Sequence, residues 1–344
     1  MDNSNEISRR KFDHIRINLE EDVRSGITTG LEDFHFNHCA LPEIDLEEID
    51  TSVEFFGKNI ALPFLVSSMT GGTEDAYRIN QNLALNAEKF NLAMGVGSQR
   101  AGLEDQAAMQ TFKVRDFAPN IFLLANLGAV QLNYGYSIEH CQQAVDSIGA
   151  DALVLHLNPL QEALMEDGDT NFSELLKKIE GVCRKLDVPV IVKEVGWGIS
   201  AEVARKLIDA GVKAIDVAGA GGTSWSEVEK YRMKSDLNRE IASAFNDWGI
   251  STTSCIEEIH KSMPEISLIA SGGLKNGIDI AKCVALGARL GGMARQFLLA
   301  AAESAEALEK RITVYQRQFV IAMFAVGAKS ISELQINKII RISE

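Results

Sequence analysis

Eight short apolar runs that alternate with helical segments restrict the fold of this chain more than any other feature. Several runs are apolar at successive positions, as in strands that are covered on both faces. Eight strand–helix units within about 240 residues favour a (β/α)8 TIM barrel in the α/β class, with a doubly wound open sheet as the alternative. The runs occupy residues 61–69, 92–98, 121–128, 152–158, 188–196, 214–222, 267–273 and 290–298.

Helical patterns lie between these runs, and Gly149, Gly211 and Gly287 fall where a glycine at a helix C-terminus is expected. Because no linker rich in Pro, Gly or Ser divides the 344 residues, we expect one domain, residues 1–344. Its predicted parts are an N-terminal extension (1–60) that packs on the barrel or reaches over its mouth, a barrel core (61–300) and a C-terminal helical segment (301–344). Residues 224–250 form a long insertion after strand six and are a candidate lid.

Composition excludes several classes of function. The 48 acidic and 34 basic side chains give a net charge of −14, which argues against a nucleic-acid partner but not against a small anionic ligand. No run approaches the roughly 18 apolar residues of a membrane span, and the N-terminus lacks an apolar signal core. The five cysteines form no CxxC pair. These features predict a cytoplasmic protein with reduced thiols and no membrane partner.

Polar and glycine residues follow nearly every predicted strand. In a TIM barrel the carboxyl ends of the strands surround the active site, so these residues face a common mouth. Glycines after strands six, seven and eight let backbone N–H groups approach an anion. A phosphate site after strands seven and eight is common in this fold, so Gly272-Gly273 and Ala294-Arg295 indicate a phosphorylated cofactor, unless these glycines only form tight turns.

Two further groups of side chains are candidates for chemistry. Lys193 ends an apolar strand and is a Schiff-base nucleophile, a cation for an anionic ring, or a solvated strand end. By strand alternation its neighbour Glu194 points the other way. In the segment 156–162, HLNPLQE, His156 and Asn158 share a strand face, and Glu162 either binds Mg²⁺ together with substrate phosphates or caps the next helix. Spacing excludes a histidine-based metal site.

The N-terminal run Arg9-Arg10-Lys11 is the one concentrated basic stretch of this acidic chain. It is either a solvated tail or a clamp for a diphosphate, in which arginine forks and a lysine charge hold the phosphates. Arg100, in the motif GSQR, is a candidate to join such a clamp.

Taken in order, the motifs resemble those of the type 2 isopentenyl diphosphate isomerases, FMN-dependent enzymes of isoprenoid biosynthesis. The resemblance runs from Arg10 to about residue 300. RKFDHI, SQR and HLNPLQE belong to these isomerases, whereas the glycine-rich strand ends are shared with other FMN barrels. The motifs are RKFDHI (10–15), SSMTGG (67–72), VGSQR (96–100), HLNPLQE (156–162), VKEVGWGIS (192–200), DVAGAGGTSW (216–225) and ASGGLKNGIDIAKCVALGA (270–288).

The resemblance implies specific residues for each part of the site. The ring and ribityl chain of FMN would be contacted by Met69, Thr70, Gly71, Ser98, Asn126, Lys193 and Thr223, and its phosphate by Gly273, Leu274, Met293 and Ala294. The diphosphate substrate would be bound by Arg10, Lys11, Ser98, Gln99, Arg100, Asn158 and Gln161. A Mg²⁺ ion on that diphosphate would be held by Glu162. The residues expected to take part in catalysis are Lys193, Gln161 and His156.

The implied reaction is a 1,3-proton shift between isopentenyl and dimethylallyl diphosphate without net redox. Reduced FMN would act as acid and base, Lys193 would stabilise its anionic ring, and NADPH or NADH would supply the reducing equivalents. The family also implies a homo-oligomer, a tetramer or octamer, in which the N-terminal arm and the mouth lie close to a subunit contact.

Two rival functions remain at this point. An FMN-dependent oxidoreductase would be of the hydroxy-acid oxidase type, with a catalytic histidine for which His260 is the nearest candidate, or of the nucleotide dehydrogenase type, for which Cys255 is the candidate cysteine. A flavin-binding regulator without turnover would not need Gln161, Glu162 or the basic N-terminus, and their joint presence counts against it.

Overall fold

The computed structural model of the chain describes residues 3–336 and 338–342. Eight parallel strands close into a barrel in the order β4-β5-β6-β7-β8-β9-β10-β11, with β11 pairing back onto β4. The predicted TIM barrel is therefore confirmed, and the open sheet is excluded because β4 has a partner on each side. The strands are β1 Phe34–Phe36, β2 Val53–Phe55, β3 Lys58–Ile60, β4 Phe64–Val66, β5 Ala93–Gly95, β6 Leu123–Gly128, β7 Ala152–His156, β8 Val190–Lys193, β9 Ala214–Asp216, β10 Ser267–Ser271, β11 Leu290–Met293 and β12 Ile339–Arg341.

Helices follow the barrel strands and cover the outside of the barrel. They are α1 Asn3–Glu20, α2 Glu74–Phe90, α3 Arg100–Glu104, α4 Gln106–Met109, α5 Ile138–Ile148, α6 Pro159–Leu164, α7 Leu175–Lys185, α8 Ala201–Asp209, α9 Trp225–Arg232, α10 Asp236–Ser243, α11 Thr252–Ser262, α12 Gly277–Ala285, α13 Arg295–Glu303, α14 Ala305–Ala325 and α15 Ile331–Leu334. In this described part of the chain, no helix has both the length and the apolar character of a membrane span.

Local sequence signals explain where many helices begin and end. The Thr73 side chain accepts a hydrogen bond from the N–H of Ala76 at the start of α2. Gly149 ends α5 with φ 61°, and Gly211 and Gly287 follow the last residues of α8 and α12 with φ 100° and 112°. These positive φ angles are the reason for glycine at the three predicted positions.

The barrel interior and the bottom of the barrel form one apolar cluster. Inward residues such as Leu65, Leu124 and Ile191 fill the barrel. The β2–β3 hairpin of the N-terminal extension places Phe55 against Phe122, which precedes β6, with the ring centroids 5.1 Å apart. The hairpin thus closes the amino-terminal end of the barrel, and the opposite end is left for the site.

Other parts of the extension lie at the carboxyl-terminal mouth. The N–H of Ser25 donates to the carbonyl of Gly222 (2.8 Å), and the N–H of Ser224 donates to the carbonyl of Val23 (2.8 Å). The Nε of Arg295 donates to the carbonyl of Asn18 in α1 (3.2 Å). These bonds fix α1 over the mouth, where it packs against α9 of the long insertion.

The last described residues depart from the expected helical segment. After α14 and α15 the chain forms β12, which pairs antiparallel with β1. A strand of three residues is specified by its partner, and that partner lies at the other end of the chain, so local pattern could not reveal it.

Candidate active site

A cavity of about 810 Å³ opens at the carboxyl ends of the barrel strands. This volume is toward the upper end of the roughly 300–1,000 Å³ that is usual for ligand sites. Of the residues predicted for the site, all except Gln99 line this cavity. They are Arg10, Lys11, Met69, Thr70, Gly71, Ser98, Arg100, Asn126, His156, Asn158, Gln161, Glu162, Lys193, Thr223, Gly273, Leu274, Met293 and Ala294.

One layer of side chains crosses the barrel mouth in register. Gly128 pairs with His156, His156 pairs with Lys193, and Lys193 pairs with Asp216 on successive strands. The ammonium of Lys193 donates to the carbonyl of Glu194 (2.5 Å). Burial lowers the pKa of Lys193, and the negative charges of Asp216 and Glu194 act in the opposite direction. Lys193 is therefore half-buried at the floor of the cavity and is not a solvated strand end.

His156 is held as a neutral imidazole. Burial lowers its pKa to about 3, and the nearby charges of Lys193 and Arg10 add to this effect. Its Nδ1 lies 2.9 Å from Oδ1 of Asn126, whose own amide nitrogen donates to the carbonyl of Val96 (3.1 Å). Because the amide nitrogen of Asn126 is the donor to Val96, its Oδ1 is the atom that accepts a hydrogen bond from His156. Nδ1 of His156 therefore carries the proton, and Nε2 keeps its lone pair.

Gln99 does not reach the cavity, and the expectation of a substrate contact is corrected here. Its side chain is fully buried, with Nε2 donating to the carbonyl of Ala144 (2.9 Å). Its Oε1 accepts from the backbone N–H of Asn126 (2.9 Å). In the motif SQR, Ser98 and Arg100 line the cavity, whereas Gln99, the N-cap residue of α3, hydrogen-bonds to the strand that carries Asn126.

The basic run on α1 brings two basic side chains into the cavity, those of Arg10 and Lys11. Lys11 Nζ donates to the carbonyl of Ser98 (2.8 Å) and lies 4.7 Å from the ring centroid of Phe112. Burial, together with the charge of Arg10, lowers the pKa of Lys11 to about 7, and burial also lowers the pKa of Arg10. The solvated-tail interpretation therefore fails for both residues, and an anion in the cavity would stabilise their charged forms. The side chain of Arg9 lies outside the described part of the chain.

Arg100 is oriented by two carboxylates. Its Nη1 donates to Oδ2 of Asp169 (2.8 Å), and its Nε donates to Oε1 of Glu104 (3.3 Å). Gln131 Nε2 also donates to Asp169 (2.9 Å), which holds that carboxylate in place. The remaining guanidinium donors of Arg100 are available to the cavity that it lines.

Glu162 neither caps α7 nor faces solvent. Asn158 Nδ2 donates to its Oε1 (2.8 Å), and the backbone N–H of Asp169 donates to its Oε2 (2.7 Å). The carboxylate is buried at the edge of the cavity, and the N-cap of α7 is Glu174. A fixed carboxylate beside three cationic side chains is suited to hold a divalent cation on a phosphorylated ligand.

Sequence reasoning missed a polar cluster around Glu229 of α9. Its Oε1 accepts from His14 Nε2 (3.0 Å) and from Gln161 Nε2 (2.8 Å), and its Oε2 accepts from Arg232 (2.5 Å). Burial would raise the pKa of Glu229, but these hydrogen bonds and the charge of Arg232 outweigh it and lower the pKa to about 2. Burial lowers the pKa of His14, whose ring meets Trp225 edge-on at 5.0 Å. The hydrogen bond to Glu229 therefore holds the Gln161 side chain in place.

The opposite end of the cavity is built from backbone. Gly272 and Gly273 have φ of 101° and 81°, and a Cβ on Gly273 would lie 2.4 Å from the carbonyl oxygen of Gly221. Helix α13 begins after Ala294, which provides no side-chain cap among the described residues, so the first N–H groups of α13 are left for another acceptor. Glycine loops and an open helix N-terminus are suited to bind phosphate.

Two buried hydroxyls lie between these ends. Ser67 Oγ and Thr70 Oγ1 line the cavity and have no hydrogen-bond partner among the described residues. Buried polar atoms are normally paired, so a polar ligand is the expected partner of both hydroxyls.

The residues that the oxidoreductase hypotheses require are elsewhere. Cys255 is buried in α11, with Sγ 3.8 Å from the carbonyl of Ile250. The His260 ring packs against Gly287, where a Cβ would come within 2.5 Å of it. Neither side chain lines the cavity.

Comparison with known proteins gives the family. The profile of the FMN-dependent dehydrogenase family matches residues 157–341. An isopentenyl-diphosphate delta-isomerase of Nostoc sp. is 51% identical over 327 residues, which is 95% of this chain and 93% of the relative. That of Oceanobacillus iheyensis is 50% identical over 330 residues, covering 96% and 95%. A mandelate oxidase structure with benzoyl-formic acid has a TM-score of 0.69 at 19% identity, covering 98% of both chains, and supports the fold alone. The chain belongs to the isopentenyl-diphosphate delta-isomerase family.

Proposed function

We propose that this protein interconverts isopentenyl and dimethylallyl diphosphate by a 1,3-allylic proton shift without net redox, on FMN and with Mg²⁺. The observation that carries the proposal is one cavity with two anion-binding ends of different kinds. One end is cationic, with Arg10, Lys11 and Arg100 near Glu162. The other end is the backbone cradle at Gly272-Gly273 and α13. A diphosphate and a flavin phosphate fit these two ends.

The residues of the cavity fit FMN. The unpaired hydroxyls of Ser67 and Thr70 suit the polar parts of a flavin, and the glycine cradle suits its phosphate. When bound, reduced FMN supplies acid and base at the allylic carbons, with NADPH or NADH as the source of electrons. The ring and ribityl chain would be held by Met69, Thr70, Gly71, Ser98, Asn126, Lys193 and Thr223. The phosphate would be held by Gly273, Leu274, Met293 and Ala294.

Lys193 and His156 provide the charged and polar contacts for the flavin ring. The ammonium of Lys193 is fixed by its bond to the Glu194 carbonyl, so a negative ring is stabilised without reorganisation of the site. The neutral imidazole of His156 offers Nε2 as a hydrogen-bond acceptor, since Nδ1–H is held by Asn126. Gln99 supports this pair indirectly through the backbone of Asn126.

The cationic end binds and orients the diphosphate. Arg10, Lys11 and Arg100 provide charge-assisted hydrogen bonds, and Ser98 and Asn158 add polar contacts. Glu162 would ligate Mg²⁺ that bridges to the phosphates, which is the usual mode for this ion. Gln161, fixed between Asn158 and Glu229, presents its amide to the reacting end of the substrate. Helix α1 and Trp225 cover the cavity and exclude water.

The direct experiment uses the purified protein as isolated. We expect a yellow holoprotein that bleaches with NADPH under anaerobic conditions and then interconverts the two C5 diphosphates only when Mg²⁺ is present. An FMN-loaded, reduced protein that leaves both diphosphates unchanged would overturn the proposal. Oxidation of 2-hydroxy acids by the same preparation would favour the oxidoreductase alternative, although His260 and Cys255 lie outside the cavity.

We also propose a single domain that assembles into a tetramer or octamer. Ordering the arm over the mouth costs about 1–2 kcal/mol per residue in backbone entropy, so burial must compensate. Leu237 and Trp248 of the insertion, beside α9, are 66% and 59% exposed and are candidates for a subunit contact. Light scattering at micromolar concentration should give a multiple of the 37.6 kDa chain mass. A fully active monomer would contradict this proposal. The cytoplasmic location stays a prediction from the sequence.

A further inference from the structure

Asp216 is a buried acid inside the barrel, next to the floor of the cavity. It is the last residue of β9, is 2% exposed and does not line the cavity. In the barrel register it pairs with Lys193 of β8. Residues in register on adjacent parallel strands point to the same face of the sheet, so the carboxylate and the ammonium lie side by side in one layer.

The same carboxylate joins two loops of the phosphate end. Its Oδ1 accepts from Ser271 Oγ (2.6 Å), and Ser271 immediately precedes the glycine pair of the cradle. It also accepts from the N–H of Ala218 (3.3 Å), a non-glycine residue held at φ 37° in the left-handed region. That conformation costs energy for alanine, and the bond to Asp216 helps to maintain it.

The other acid near Lys193 is Glu194, whose carboxylate binds backbone N–H groups. One carboxylate oxygen of Glu194 accepts from the N–H groups of Val195, Gly196 and Trp197 at 2.6, 2.7 and 2.6 Å. Burial raises the pKa of Glu194 to about 7. Burial raises the pKa of Asp216 as well, with the charge of Lys193 and the bonds from Ser271 and Ala218 acting in the opposite direction. What distinguishes Asp216 is that it shares a layer with the ammonium.

We infer that Asp216 is a positioning residue that partly offsets the charge of Lys193 at the floor of the cavity and couples Lys193 to the phosphate cradle. The inference rests on the proposed function, because the offset acts on a bound flavin. Removing one negative charge near the ring favours the more negative, reduced flavin over the oxidised one, whatever the protonation state of Lys193. The midpoint potential of bound FMN therefore reports this role directly.

The experiment compares Asp216→Asn with Ser271→Ala in the FMN-loaded protein. Asparagine keeps an oxygen for Ser271 and Ala218 but removes the charge, whereas the control removes one hydrogen bond and keeps the charge. For Asp216→Asn we expect reduced FMN to bind about tenfold more tightly relative to oxidised FMN. That ratio corresponds to a potential raised by about 30 mV for a two-electron couple. Ser271→Ala should weaken FMN binding without moving the potential.

Each other outcome counts against the inference. An unchanged potential in Asp216→Asn, or equal shifts in both variants, would reduce Asp216 to a structural residue. If Asp216→Asn does not load FMN, Asp216→Ser, which also lacks the charge, takes its place. Failure of both variants to fold while Ser271→Ala folds would assign Asp216 to folding and overturn the inference. A wild-type protein that binds no FMN would instead refute the proposed function.

Discussion

The two ends of the cavity are built in different ways. At the proposed flavin end, the groups that line the cavity come from the ends of consecutive barrel strands and from backbone N–H groups, and the register of the barrel sets their positions. At the proposed substrate end, the charged side chains that line the cavity come from α1, α3 and α6, and hydrogen bonds such as that between His14 and Glu229 join α1 to α9. The flavin end is therefore a property of the fold, whereas the substrate end depends on contacts between distant segments.

This difference predicts that substitutions at the two ends change different properties of the protein. Changes at the flavin end should alter the turnover of bound substrate or the properties of FMN. Changes at the substrate end should alter the substrate or metal concentration that is required and leave FMN content unchanged.

The largest effect is expected for Lys193→Ala at the flavin end. Loss of one preorganised charge of this kind costs about 10²–10³-fold in rate, because the ring loses its fixed cation. Steady-state kinetics of the reduced, FMN-loaded variant should show the loss in kcat with KM almost unchanged. Wild-type turnover in a folded, loaded variant would remove Lys193 from the mechanism.

At the substrate end, Glu229→Gln should lower kcat/KM by about 10–100-fold, because Gln161 and His14 lose their charged acceptor. FMN content, measured by absorbance after denaturation, should be unchanged. Glu227→Gln is the matched control, since Glu227 lies on the same helix and pairs with Lys230, whereas Glu229 accepts from His14 and Gln161. Equal effects of the two variants would mean that α9 is only a structural element.

The Glu229 cluster also shows which part of the site could not be predicted from the sequence. Strand ends, the glycine cradle and Lys193 were predictable because a barrel places successive strand ends at one mouth. Glu229 was not, because its partner His14 is 215 positions away and nothing in the local pattern of α9 marks a buried carboxylate. Gln99 was assigned to the substrate through its motif, whereas its side chain hydrogen-bonds to the backbone of Ala144 and Asn126 and does not reach the cavity.

A smaller effect is expected for Glu162→Gln. Glutamine has one acceptor oxygen in place of two, so it keeps the bond from the Asn158 amide or from the Asp169 N–H but not both, and the charge offered to Mg²⁺ is lost. The Mg²⁺ concentration for half-maximal activity should rise at least about tenfold, with normal FMN content. Glu166→Gln, in the loop that follows, is the control because Glu166 does not line the cavity. An unchanged Mg²⁺ titration would exclude Glu162 as the metal ligand.

The smallest effect concerns the proton balance of Lys11. Its pKa is lowered to about 7 by burial beside Arg10, so Lys11 is mostly neutral above that pH in the substrate-free protein. A bound diphosphate favours the charged form and raises this pKa, so binding should take up a proton between pH 7 and the higher pKa of the complex. Titration calorimetry of the FMN-loaded protein with the diphosphate, in buffers of different ionisation enthalpy, should show uptake approaching one proton at pH 8 and close to none at pH 6.

Lys11→Arg is the matched variant, because an arginine keeps its charge and should abolish the uptake at pH 8 while preserving binding. Uptake that persists in Lys11→Arg would assign the proton to another group at the substrate end, and equal uptake at both pH values would rule out a titration near pH 7.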